Sequence, residues 1–209
     1  MDRLLNGYRR FRQNHWPERR RLFESLADDG QQPRVLVISC ADSRVDPGMI
    51  FDAGPGELFV VRNVANLVPP YAPDGAYHGT SAALEFGVRV LNVPDILVMG
   101  HGLCGGVRAM LDGPPPEVSD FVASWISIGA RARDRALAHP PEGRQLFCEH
   151  ETIRLSLDNL MTFPWIARRA EAGSLRLWGG HFDVRSGELS LLRPNGDFQP
   201  GRFETVAAF

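Results

Sequence analysis

Cys40, His101 and Cys104 are the residues of this chain whose types and spacing most readily do chemistry together. Two thiolates and one imidazole form a donor set matched to Zn²⁺. His101 and Cys104 stand three apart in the glycine turn His101-Gly102-Leu103-Cys104-Gly105-Gly106, which lets both side chains converge on one ion. Cys40 closes the triangle from 61 residues before His101. A structural zinc site normally has four protein ligands, whereas three ligands and an open corner describe a catalytic ion that carries water. Asp42 is a possible fourth ligand. Arg44, two residues on, can grip that carboxylate bidentately and hold it off the ion. Asp42 would then accept a hydrogen bond from zinc-bound hydroxide and aim its lone pair at a substrate. A turn cap with a surface ion pair fits the same Asp-x-Arg spacing.

The other polar candidates read as structural. Cys148 shares its stretch with His150, but residues two apart on a helix point to different faces, so the pair cannot chelate together. Cys148 is then a small buried hydrophobe. His15, His78, His139, His150 and His181 read as surface or hydrogen-bonded residues. Gly100-His101-Gly102-Leu103-Cys104-Gly105 also satisfies the dinucleotide fingerprint G-x-G-x-x-G after a strand and before a helix. The acidic strand end expected about 20 positions later is missing, because Pro114 to Asp120 enters a helix. A histidine and a thiolate would also fill the turn that a pyrophosphate must approach.

Short apolar strands must position these groups. Arg34 to Ser39 runs straight into Cys40, and Asp95 to Met99 runs towards His101; each reads as a strand buried on both faces. Glu57 to Arg62 is a further strand. Helices are expected over Thr80 to Leu91, from Gly106, over Val118 to Ile128, over Gln145 to Leu160 and from Pro164 to before Gly173. Leu175, Leu177, Phe182 and Val184 alternate, and Ser186-Gly187 turns into a hairpin strand over Leu189 to Leu192. The opening segment is helical on either side of Pro17. The expectation is a single α/β domain: a central, mostly parallel sheet flanked by helices, with an N-terminal helical arm (residues 1–30), a zinc-binding unit (residues 31–209) and a C-terminal β-hairpin. An open α/β sheet binds ligands beyond the carboxyl ends of its strands, so both clusters should face one crevice.

Composition excludes other classes. Hydrophobic residues at 44% and charged residues at 23% are ordinary for a globular protein and rule out a disordered tail or a coiled coil. A net charge of -2 gives no bulk attraction to nucleic acid or anionic lipid. No apolar stretch approaches ~18 residues, so no membrane span is expected. Met1 to Arg21 is rich in arginine without an apolar stretch, so no secretory signal is expected. Three cysteines do not make a disulfide framework, which points to reduced thiols in the cytoplasm.

These residues resemble the β-class carbonic anhydrases. Cys40-Ala41-Asp42-Ser43-Arg44-Val45-Asp46-Pro47 and His101-Gly102-Leu103-Cys104-Gly105-Gly106 look like the family's two zinc motifs. Glu57 to Asn66, Gly79 to Phe86 and the tail from Ser156 to Leu192 are similar too, so the likeness covers about residues 33–192. The resemblance implies zinc-dependent, reversible hydration of carbon dioxide to bicarbonate and a proton. It implies one zinc per subunit on Cys40, His101 and Cys104, with Asp42 and Arg44 as a catalytic dyad. It implies a homodimer as the minimal unit, often assembled into tetramers, with N-terminal helices embracing the partner. Some bacterial members have a regulatory bicarbonate pocket of Trp, Arg and Tyr. Here Arg62 matches, but Val37 and Phe182 stand in the other two places, so the open form of the site is expected near neutral pH. Val64 and Leu67 are candidates for the wall of a carbon dioxide pocket. A carbon disulfide or carbonyl sulfide hydrolase on the same scaffold, and a non-catalytic zinc module, are the alternatives.

Two thiolates neutralise the ion's charge, so this zinc should acidify water less than a three-histidine site does. Hydration activity should therefore climb towards alkaline pH; a rate that stayed flat between about pH 6 and 9 would contradict the ligand set.

Overall fold

The computed structural model describes residues 1–201. The part of the expected zinc-binding unit that falls on 202–209 lies outside the described residues. Helix α1 (Asp2–Arg10), a π-helical turn (Phe11–His15) and α2 (Trp16–Asp29) form a continuous arm. Pro17 has no N–H to donate, and the wider turn just before it absorbs that loss without a break in the helix. No residue of the arm is buried.

Six strands then build one sheet. They are β1 (Val35–Cys40), β2 (Leu58–Asn63), β3 (Asp95–His101), β4 (Arg176–Phe182), β5 (Leu189–Leu192) and β6 (Phe198–Pro200), in the order β2-β1-β3-β4-β5-β6. The first four are parallel, with Cys40 opposite Asn63 and His101 opposite Phe182. The last two are antiparallel. The expected hairpin is thus a three-stranded antiparallel extension, whose last strand is too short to show a period in the sequence. β3 is buried along its whole length, as an unbroken apolar run demands in the middle of a parallel sheet. β2 differs from β1 and β3: as an edge strand it leaves Val60 41% exposed.

The intervening helices are α3 (Pro47–Ile50), α4 (Gly79–Glu85), α5 (Gly105–Asp112), α6 (Val122–Ile126), α7 (Ala130–Leu137), α8 (Arg144–Leu160) and α9 (Pro164–Glu171). One face of the sheet packs Leu36, Ile38, Ile96 and Val98 against Leu84, Ile153, Leu160 and Ile166 from these helices. The helix expected from Val118 to Ile128 is instead α6 between two 3₁₀ turns. Pro116 starts the first turn, and the Ser127 hydroxyl donates to the Ser124 carbonyl at 2.7 Å, which draws the chain out of the α-helical pattern.

β1 and β3 are neighbours, and their connections leave to opposite sides: β1 leads to β2 at the edge, and β3 leads across to β4. This reversal opens a crevice beyond the carboxyl ends of the two strands, where Cys40 and His101 lie. Gly100 precedes the histidine because the helix layer comes too close for a side chain. A Cβ there would stand 2.8 Å from Cδ1 and 2.9 Å from Cγ1 of the buried Ile153. Gly100→Ala should lower the unfolding free energy by about 1–3 kcal/mol, read from urea denaturation at fixed protein concentration, since it overpacks the core. An unchanged midpoint would show that the helix layer yields.

Candidate metal centre

The crevice gathers the three side chains expected from sequence to hold a metal, as a group that could do so. Cys40 ends β1, His101 ends β3, and Cys104 directly precedes α5. All three are buried, and their ligand atoms lie within 4.8 Å of one another. The two sulfurs are 3.8 Å apart. Two sulfurs each ~2.3 Å from a tetrahedral zinc stand about 3.8 Å apart, so the spacing fits that ion. His101 Nδ1 lies 3.0 Å from the Gly102 carbonyl oxygen, which leaves Nε2 pointing inward, buried and without a hydrogen-bond partner. An orphaned buried nitrogen beside two sulfurs is what a metal ligand looks like before its ion is counted.

Main-chain N–H groups supply the sulfurs' surroundings. Those of Asp42 and Ala65 point at Cys40, and those of Gly106 and Val107, in the first turn of α5, point at Cys104. Ala65 and Asn66 adopt left-handed backbone angles (φ 63° and 47°) to make this turn after β2. The Cys104 thiol hydrogen-bonds Cys40 and, against the cost of burial, holds the Cys40 thiol well below its ordinary range, helped by His101. The same contact and burial push Cys104 up. A dication there would hold both as thiolates. This also removes the dinucleotide reading of the glycine turn, because the helix N-terminus that would seat a pyrophosphate already faces a ligand sulfur.

Asp42 and Arg44 form the bidentate pair that their spacing allows. Arg44 Nε donates to Oδ1 at 2.9 Å and Nη2 to Oδ2 at 2.7 Å, while the Arg44 backbone N–H reaches Oδ1 at 3.0 Å. Nη2 also donates to the Leu103 carbonyl at 3.1 Å, which ties the dyad to the second ligand loop. The Arg44 side chain, aided by its backbone N–H, keeps the Asp42 carboxyl far below the usual carboxylate range. Oδ2 of Asp42 stops 3.9 Å from His101 Nε2.

Residues beyond the three ligand candidates and the Asp42–Arg44 pair surround this site, and of these Glu149, Gln145 and Trp125 are not singled out by the sequence. Arg62 donates to the carbonyls of Cys40 (3.0 Å) and Asp42 (2.7 Å) and pairs with Asp46 (3.0 Å), so it shapes the loop after β1. Val37 is fully buried on the sheet face away from Cys40. Glu149 and Gln145, on α8, reach Cys104. Nothing in the sequence marks Glu149 apart from the surface carboxylates, because its helix also carries exposed charges. Val64 and Leu67 pack in the same cluster as Cys40 and Cys104, with Trp125 Nε1 donating to the Val64 carbonyl at 2.8 Å. Cys148 is wholly buried in that cluster, and burial pushes its thiol up to about 11. His181 is buried against Glu149, and His150 packs between His181 and Phe198.

The comparisons with known proteins agree with this geometry. The family model described as "Carbonic anhydrase" matches residues 35–189. The chain is 38% identical over 217 residues to beta carbonic anhydrase 3 of Arabidopsis thaliana, covering 100% of this chain and 80% of that protein. The solved β-carbonic anhydrase CcaA superposes with a TM-score of 0.90 at 34% identity, over 98% of this chain and 93% of that one. A β-carbonic anhydrase of Sordaria macrospora, from a study of two tetrameric enzymes, superposes with a TM-score of 0.72 at 27% identity, over 95% and 94% of the two chains.

His150 has a separate consequence. Burial, with the nearby charges of His181 and Arg154, lowers its pKa to about 3. The ring is neutral in the fold but takes a proton on unfolding below its ordinary pKa of ~6.5, so this residue costs stability as pH falls from there towards 3. His150→Phe keeps the stack on Phe198 and should shrink the drop in melting temperature between about pH 7 and 5. An identical drop in variant and parent would refute the assignment.

Proposed function

The chain belongs to the β-class carbonic anhydrases, and from that premise we propose that Cys40, His101 and Cys104 hold its zinc while Asp42 and Arg44 govern the reacting oxygen. The protein is a zinc-dependent lyase that catalyses the reversible hydration of carbon dioxide to bicarbonate and a proton. The observation that carries the residue assignment is the pairing of two sulfurs 3.8 Å apart and an unpartnered imidazole nitrogen with a carboxylate clamped just short of them.

Bound zinc would supply the Lewis acidity that makes water a nucleophile at accessible pH. Asp42 stays ionised because Arg44 occupies both of its oxygens, and the same two bonds stop it from swinging onto His101 and the sulfurs as a fourth ligand. Oδ2, which stops 3.9 Å from His101 Nε2, would accept a hydrogen bond from the attacking oxygen and so leave that oxygen's lone pair directed at the substrate. Carbon dioxide is small and apolar, so walls such as Val64 and Leu67 suffice to hold it, and bicarbonate leaves from the same place.

The N-terminal arm supports an assembly of copies of this chain. Leu4 and Tyr8 are 69% and 58% exposed, and an arm with no buried residue has little to hold it in an isolated chain. We assign the arm, residues 1–30, to contact with a second subunit in a homodimer or tetramer. No helix among the described residues is long and apolar enough to cross a membrane. The three cysteines are free, and a reducing cytoplasm is the compartment we assign.

Removing zinc with a chelator should abolish hydration in a stopped-flow assay, and returning zinc should restore it. Arg44→Ala should retain zinc yet lose about 10–100-fold in kcat/KM, because Asp42 is then released onto the ion. Full activity in Arg44→Ala would remove the dyad role.

A further inference from the structure

Glu149 is a carboxylate 3% exposed in the second turn of α8, and one of its oxygens reaches the backbone of Cys104. Its Oε1 accepts the Cys104 backbone N–H at 3.1 Å and Gln145 Nε2 at 3.0 Å. Gln145 Nε2 also reaches the Cys104 carbonyl at 3.4 Å, so both polar atoms of that peptide residue are held from α8. Oε2 of Glu149 lies 3.0 Å from His181 Nε2 on β4. The loop is fixed on its other side by the Gly102 N–H, which donates to the Phe182 carbonyl at 2.9 Å. The residue between the ligands, Leu103, has a left-handed backbone (φ 58°) that a leucine adopts only when its surroundings impose it. A buried carboxylate is costly unless every bond it makes is used, and here one oxygen is spent on the peptide of a ligand cysteine.

We propose that Glu149 is a positioning residue for Cys104: through its reach to that backbone N–H it fixes where the sulfur meets the ion, and so sets how long zinc is held. This rests on the zinc assignment above. Reach, rather than charge, is the property at work. Glu149→Gln keeps the side-chain length, an oxygen for the Cys104 N–H and an amide that can face His181. Glu149→Asp keeps the charge but withdraws it by one methylene.

The test is the rate of zinc release from the full-length, zinc-loaded protein to a chromophoric chelator, with the thiolate-to-metal absorption of the cobalt-loaded protein as a second signal. Glu149→Asp should release zinc about 10–100-fold faster and shift the cobalt spectrum, while Glu149→Gln stays within a few-fold of the parent. Gln145→Ala, at a half-buried position, should move in the same direction by a smaller factor and serves if Glu149→Asp does not fold. Leu160→Ala, a core change in α8 remote from the ligands, should lower thermal stability without changing release. Parent-like release from Glu149→Asp, or from Gln145→Ala where Glu149→Asp does not fold, overturns the proposal. So does release from Glu149→Gln as fast as from Glu149→Asp, or from Leu160→Ala as fast as from either. A parent protein that binds no zinc would instead overturn the metal assignment itself.

Discussion

Two cysteine sulfurs buried 3.8 Å apart are the constraint around which the rest of this protein is arranged. They come from places 64 residues apart in sequence, and only neighbouring strands can deliver them to one point. Parallel pairing of β1 with β3 aligns the strand ends, and the reversal of connections there keeps the crossing chain from covering them. The fully buried β3 gives the second ligand loop a rigid base, and Gly100 lets the helix layer close behind it. Stability and chemistry therefore share the same few residues at the carboxyl end of the sheet.

Anionic groups accumulate at that end, and the fold manages them with guanidinium groups whose hydrogen bonds have fixed directions. Arg44 is spent on Asp42 and Leu103, and Arg62 on the loop carbonyls and Asp46. Each guanidinium holds backbone geometry as well as charge, a task for which a lysine lacks the planar fork. The result is a carboxylate beside the centre that is ionised, close and yet restrained.

Much of this was legible in the sequence because the decisive signals are local. Apolar runs that end in Cys40 and His101, and a glycine turn carrying His101 and Cys104, read directly as strands, a crevice and a cluster that could hold a metal. The Asp42–Arg44 contact follows from a spacing of two. What could not be read depends on distant packing. β2 is as apolar as its neighbours, and only its place at the edge exposes Val60. The helix expected over Val118 to Ile128 shortens to α6 because a proline just before it starts a 3₁₀ turn and a serine near its end bonds back to the chain. Glu149 looks like any helix-surface carboxylate until α8 is laid against the Cys104 loop.

The sulfurs' nearest polar neighbours include peptide groups: those of Asp42 and Ala65 beside Cys40, and those of Gly106 and Val107 beside Cys104. Such donors stand in for a hydration shell, and they belong to every residue type except proline. Exchanging one of these side chains leaves its N–H in being, so drift in composition around the centre can leave the immediate solvation of the thiolates alone. Their environment is inherited with the path of the main chain, and a shift in that path would alter it more than most substitutions could.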